Sequence, residues 1–407
     1  MAAGMDAGMD GGETGMKVGI VTLIAGYVFS QFYRAFLPVL SPALEAELGA
    51  TPEILGRASG LWFLAFAAMQ IPVGWALDHV GPRRTAALLL GVAGAGAGVF
   101  ALATTPGHIL WAMVLMGIGC SAVLMASYFI IAREFPARVF GTLAGVVIGV
   151  GSLGNIAGSL PMAWASEAFG WRATMWGLAV LTFAIAALIF FLVRDPAKPE
   201  GHAEAKGSLL TLLSIPALWL IFPLMFVNYA PSAGLRGAWT GPFLRDVYGL
   251  DADGIGMVTL AMGLAMILGN LSYGPLDRIF GTRKWAILAG NAGSAIAIFA
   301  LWAFPSSGIV TVTALVAAAG FFGASFPLIM AHGRAYFPAH LTGRGVTLLN
   351  LIGISGVGLF QFASGWVYEG AVVAGDPVAG YRAVFLFFAV PVLIGGFVYL
   401  FSRDRVD

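Results

Sequence analysis

The stretch Gln70-Ile-Pro-Val-Gly74-Trp-Ala-Leu-Asp78-His79-Val80-Gly81-Pro82-Arg83-Arg84 has a counterpart 200 positions further on, Asn270-Leu-Ser-Tyr-Gly274-Pro-Leu-Asp277-Arg278-Ile279-Phe280-Gly281-Thr282-Arg283-Lys284. In both, an apolar run ends at an aspartate, a glycine turn follows, and basic residues open the next apolar run. Two further landmarks recur in the same order. Arg133-Glu-Phe-Pro136-Ala answers to Arg334-Ala-Tyr-Phe-Pro338-Ala, and Trp171-Arg172-Ala to Tyr381-Arg382-Ala. Three matched landmarks in one order mark the chain as a single unit written twice.

The solvent of that unit follows from composition. Of 407 residues, 59% are hydrophobic and only 10% charged, with a mean hydropathy of +0.90. Soluble domains carry roughly 25% charged residues. A chain so poor in charge cannot cover itself with a water-compatible surface, so its expected solvent and constant partner is the lipid bilayer. The 56 glycines suit helices whose backbones approach closely within lipid. The single cysteine, Cys120, excludes an intrachain disulfide and a thiolate metal cluster, and a net charge of +1 argues against nucleic acid.

A membrane-crossing helix needs about 20 mostly apolar residues. That window predicts helices near 18–41, 53–77, 85–104, 108–132, 139–163 and 171–193, and a second set near 213–243, 254–276, 285–304, 309–333, 344–368 and 381–401. The expected organisation is a cytoplasmic tail (1–17, read as disordered), a six-helix bundle (18–193), a solvated linker (194–212), a second six-helix bundle (213–401) and a short tail (402–407). Lysine and arginine favour the cytoplasmic side of a membrane. With the N-terminus inside, that side holds Lys17, Arg83, Arg84, Arg133, Arg138, Arg194, Lys198, Lys206, Arg278, Arg283, Lys284, Arg334, Arg344, Arg403 and Arg405. The opposite side holds Arg57, Arg172, Arg245 and Arg382. Both termini are therefore expected in the cytoplasm, in an inner (plasma) membrane.

The two glycine–aspartate–basic loops resemble the signature loop of the major facilitator superfamily, and the resemblance runs over essentially the whole chain. It implies an all-α integral membrane fold of twelve transmembrane helices, arranged as two parallel six-helix pseudo-repeats around a central cavity. It also implies gradient-driven secondary transport of a small solute by alternating access, with no enzymatic step and no cofactor. Asp78, Arg83 and Arg84 in one copy, and Asp277, Arg278 and Arg283 in the other, are expected to form charge-paired gating latches. The alternative is that these charges only set topology. The first copy has His79 and Pro82 where the family usually carries basic residues.

An ionisable side chain inside a span costs roughly 2.5–3.5 kcal/mol on insertion scales and marks a functional site by default. Two arginines stand well inside predicted spans: Arg34 in the first and Arg236 in the seventh, equivalent places in the two copies. Helical spacing puts Tyr27 and Gln31 on the Arg34 face, and Asn228, Ser232 and Trp239 on the Arg236 face. The guanidinium fork stays charged and suits bidentate binding of carboxylate or phosphate. Arg34-Ala-Phe-Leu-Pro-Val-Leu-Ser-Pro42 is similar to the first helix of organic-anion and organophosphate transporters of the superfamily, whose arginine, eight residues before a proline, binds the anionic group. Leu235-Arg236-Gly237 through Pro242 looks like its counterpart, six residues before the proline.

The expected substrate is thus a small organic or phosphorylated anion held by Arg34 and Arg236, with Gln31, Tyr27, Asn228, Trp239 and Asn270 as neighbours. The rival for either arginine is an outer gate, paired with Glu45, Glu47 or Asp246. No aspartate or glutamate falls in the middle of a predicted span, which favours exchange, facilitated diffusion or coupling through the substrate's own proton. His332 is a candidate proton relay for a coupling ion. Met257, Met262 and Met266 leave copper import as an alternative substrate class, alongside import of a neutral metabolite or vitamin, or an adapter that transports nothing. HExxH, GxSxG and Walker signatures are missing, so neither an enzyme nor a bound metal is expected. The protein is read as a monomer.

Overall fold

A computed structural model describes residues 3–135, 143, 146–196, 212–338, 342–372 and 376–405, without the side chains of 3–17, 274–278, 342–344 and 377. The described chain folds as twelve membrane spans. Ten are single stretches: Pro52–His79, Pro82–Ala101, Pro106–Glu134, Trp171–Leu192, Pro216–Tyr248, Ala252–Tyr273, Lys284–Ala303, Ile309–Arg334, Gly345–Ala371 and Val378–Tyr399. The first and fifth spans are bent pairs, Val18–Phe32 with Leu37–Leu48 (50°) and Val146–Ala157 with Leu160–Phe169 (43°). Backbone polar groups have no water to bond in lipid, and helices satisfy them internally.

Local chemistry sets the helix starts. Proline opens the second, third, fourth and seventh spans at Pro52, Pro82, Pro106 and Pro216, where its missing N–H leaves nothing unsatisfied. Asp251 accepts from the Gly254 N–H at 2.9 Å to cap the eighth span, and Asp376 caps the twelfth through the Val378 N–H at 3.0 Å. At the N-terminus the helix already runs from Ala3 to Phe32, so the backbone of the stretch read as a disordered tail is helical from Ala3. Most of the linker, residues 197–211, lies outside the described residues.

The two six-span sets meet on the side away from the chain termini. There the first span runs against the seventh and the second against the eleventh. A Cβ on Gly241 would stand 2.1 Å from the Pro38 carbonyl oxygen, and one on Gly60 would stand 2.3 Å from the Phe362 backbone nitrogen. Only glycine admits such backbone approach, the usual means of helix packing in lipid. Ion pairs cross the same seam: Arg245 with Glu45, and Arg57 with Glu369 at 3.4 Å. On the side of the termini, the matching stretch of the second span makes no such contact among the described residues. A Cβ on Gly74 would meet nothing within 4 Å, and Ile71 and Trp75 are exposed.

Candidate substrate site

Arg34 sits where the first span breaks. Phe32 ends one helix and Leu37 begins the next, and the turn between them carries Arg34 and Phe36. The side chain is only 9% exposed. Its guanidinium Cζ lies 4.9 Å from the Trp62 ring centre, 4.8 Å from Phe66 and 5.9 Å from Phe63, all on the second span. Among the described residues no hydrogen bond or carboxylate reaches this cation, and its Nε is buried without a partner. Ring faces hold a cation through their quadrupole, about 2 kcal/mol or more when desolvated. They leave the N–H fork in the ring plane free to donate elsewhere.

Arg236 sits in an equally irregular place. The seventh span passes through a π turn at Leu235–Trp239, between the helical segments Ala230–Gly234 and Thr240–Tyr248. Such turns are rare and concentrate at functional sites. Arg236 is 3% exposed, its Nη2 donates to the Tyr229 hydroxyl at 3.2 Å, and its Nε is buried without a partner. The two arginine-bearing segments touch: a Cβ on Gly237 would stand 3.2 Å from the Arg34 carbonyl oxygen. Tyr27 lies within electrostatic reach of both guanidinium groups and of Tyr229. Gln31 donates to the Tyr27 hydroxyl at 3.1 Å while its Oε1 stays buried and unpartnered. The structure therefore brings together Arg34, Arg236, Tyr27 and Gln31.

Three expected neighbours have hydrogen-bond partners of their own, other than the two guanidinium groups. Asn228 donates to Asn291 (2.7 Å) and Ser325 (2.9 Å), packing within the second half. Trp239 is fully buried with its indole N–H on Ser364 of the eleventh span at 2.8 Å. Asn270 is exposed and donates to the Met266 carbonyl of its own helix at 3.0 Å. Inside a bundle a polar side chain bonds the nearest backbone, amide or hydroxyl acceptor, which position along the chain does not reveal. The outer-gate rival takes a different arginine: Glu45 and Asp246 pair with Arg245, and Glu47 with Arg172, so none of the three binds Arg34 or Arg236.

Asp78, Arg83 and Arg283 each make contacts within their own half. Asp78 meets Arg133 at 3.4 Å. Arg83 gives its backbone N–H to Asp195 at 2.8 Å and its Nε approaches the same carboxylate at 3.8 Å. Arg84 is exposed. In the second copy Asp404 accepts from the amides of Arg283 (3.2 Å) and Lys284 (3.0 Å) and from the Thr282 hydroxyl. The side chains of Asp277 and Arg278 lie outside the described residues. Burial pushes the Asp404 carboxyl up, but those hydrogen bonds outweigh it and hold the group below its ordinary range. The sequence carried this signal unread: Arg194-Asp195 follows the sixth span and Arg403-Asp404 the twelfth.

His332 is fully buried at the end of the tenth span, bonded to the Arg403 carbonyl (3.0 Å) and the Tyr399 hydroxyl. Both ring nitrogens serve to tie that span to the twelfth and its tail, away from the arginines. Met262 and Met266 are buried against Gly320 of the tenth span, whereas Met257 is 60% exposed, so the three methionines share no site.

Comparison with known proteins agrees with this architecture. The family profile of the Major Facilitator Superfamily matches residues 22–236 and 221–407. The chain belongs to that superfamily. It is 30% identical to the "Putative transporter AraJ" of Escherichia coli, over 47% of this chain and 48% of that protein, so the chain matches about half the length of that relative. It is 28% identical to the "Gentisate transporter" of Corynebacterium glutamicum (78% of this chain, 72% of that one) and 22% identical to the "Putative tartrate transporter" of Agrobacterium vitis (84% and 83%). The fold is that of a solved D-xylose-proton symporter, with a TM-score of 0.75 at 15% identity over 94% of this chain and 97% of the other.

Proposed function

We propose that this protein carries a small organic anion across the inner (plasma) membrane by gradient-driven alternating access, as a monomer with both termini in the cytoplasm. One observation carries the reading. Arg34 and Arg236, one from each half, are buried at the contact of the first and seventh spans with no carboxylate beside either guanidinium among the described residues. Two buried cations without counter-ions are costly unless an anion completes them. Relatives named for gentisate and tartrate support an organic acid over copper or a neutral solute.

With cytoplasmic termini, the closed seam faces outward and the open side faces the cytoplasm, which is the inward-open stage of the cycle. Transport then requires the Gly60–Phe362 and Gly241–Pro38 contacts to part and the halves to close around Gly74 instead. The test is a thermal-shift screen of the purified full chain against organic acids, phosphate esters, neutral metabolites and Cu(I). A ligand that binds only the folded state raises apparent stability by about 2.7 kcal/mol at a hundredfold excess over Kd. Organic anions are expected to stabilise the protein, with the response lost in Arg34→Gln. A response confined to neutral solutes or Cu(I) refutes the anion site.

A further inference from the structure

Resting on the anion site above, a buried amide beside the arginine-bearing segments is still without a role. Gln361, on the eleventh span, is 0% exposed, and among the described residues neither its amide nitrogen nor its amide oxygen has a partner. It is placed against the arginine-bearing segments. A Cβ built on Gly237, the residue after Arg236, would stand 3.7 Å from the Gln361 Oε1, 3.0 Å from the Ser59 hydroxyl and 3.2 Å from the Arg34 carbonyl oxygen. The amide therefore lies at the seam between the halves, beside the turn that carries Arg236.

A primary amide buried with both ends unmet forfeits the bonds it made to water, and native structures keep such groups only for a reason. The chemistry of the amide narrows the reason. It donates through nitrogen and accepts through oxygen at one spot. An ionised carboxylate or phosphate oxygen only accepts, and the two arginine forks already serve that need. A hydroxyl both donates and accepts, so it matches both ends of the amide. An apolar methylene at the same place would leave both ends unsatisfied.

We infer that Gln361 is a substrate-selecting residue, and that the anion this site takes is a hydroxycarboxylate whose hydroxyl bonds the Gln361 amide while its carboxylate bonds Arg34 and Arg236. Sites built to bond a hydroxyl reject the analogue that lacks it, because the protein's polar groups are then left buried and unpaired. Deoxy acids of the same shape and charge therefore bind more weakly.

The experiment compares matched pairs on the purified full chain by calorimetry: tartrate against succinate, and salicylate against benzoate. In the native protein the hydroxylated member of at least one pair should bind about tenfold more tightly or better, the size of one buried hydrogen-bond pair. In Gln361→Leu the ratio should collapse toward one, chiefly through weaker binding of the hydroxy acid. Gln361→Met, unbranched and also without hydrogen bonds, repeats the measurement should leucine disturb the seam. A structural role would weaken both members alike and leave the ratio intact, which overturns the proposal and leaves the anion site standing. Equal native affinities for both members also overturn it. If none of the four acids binds while neutral solutes do, the anion site falls and this inference with it.

Discussion

The two halves are alike where they meet the aqueous phase beside the termini and unlike where they meet each other. Beside the termini, an aspartate following the last span of each half caps the loop between its second and third spans: Asp195 on Arg83, Asp404 on Arg283 and Lys284. At the midline the same repeat supplies an arginine in each half, but the two are held by different means. Arg34 rests among aromatic rings in a broken turn, whereas Arg236 leans on the Tyr229 hydroxyl in a π turn. Duplication preserved the scaffold that positions the helices and let the site diverge. The difference also ranks the arginines. Arg34 has only ring faces and must find its hydrogen-bond partner in the ligand, while Arg236 already spends one donor on protein.

The largest expected effect tests that ranking directly. Arg34→Gln should weaken binding of the stabilising anion by roughly a hundredfold, and Arg236→Gln by roughly tenfold, the range of charge-assisted hydrogen bonds. Neither change should lower the melting temperature of the ligand-free protein, because each removes a buried cation without a counter-ion. Arg34→Lys should not restore binding, since an ammonium lacks the planar fork. Equal losses at the two positions, measured by calorimetry, would dissolve the distinction between them.

The seam comes next. Gly241→Leu forces a side chain against the Pro38 carbonyl and should cost the closed form about 1–3 kcal/mol. Gly74→Leu, on the open side, should cost the same form little. Labelling of a cysteine introduced beside Arg245 reads the outcome: faster in the Gly241 variant and unchanged in the Gly74 variant. The reverse pattern would mean that the contacts at Gly241 do not keep this side shut.

The aspartate caps should have smaller effects. Asp404→Asn and Asp195→Asn are each expected to lower stability by about 1 kcal/mol, as for the loss of a helix cap. The Asp404 carboxyl is held below its ordinary value of 3.8, so its contribution is fully present above that value and fades as pH falls through the lower folded value. Native protein should lose this increment only below about pH 4, and the Asp404→Asn form should show no such component. Superimposable pH–melting curves for the two would show that the cap does not stabilise. Smallest of all is Asp78→Asn. Its bond to Arg133 is exposed, a class of ion pair worth about 0.2–1 kcal/mol, and a larger loss of transport than of stability would assign that loop a gating role.

Much of this was legible in the residues. The repeat of Asp78 and Asp277, the poverty of charge and the length of the apolar runs specify twelve spans in two sets, because a bilayer admits little else. Arg34 and Arg236 stood out by the same logic, since charge inside a span is too costly to be idle. The partners of these residues were less legible. Spacing along the seventh span grouped Asn228 and Trp239 with Arg236, and position in the repeat added Asn270, but each bonds an acceptor on its own helix or a neighbour. His332, read as a proton relay, is bonded at both nitrogens to the twelfth span and its tail.

By itself, then, the sequence determined the solvent, the number of spans, the twofold repeat and the two buried cations, because lipid penalises charge and unpaired backbone wherever they occur along the chain. Only the tertiary structure decided which side of the molecule is sealed, that Trp62 and Phe66 rather than a described carboxylate flank Arg34, and that Gln361 stands beside Gly237 without a partner among the described residues. Those facts depend on contacts between different spans, and the break in the first span and the π turn in the seventh, which carry the two arginines, are settled by packing rather than by helical period.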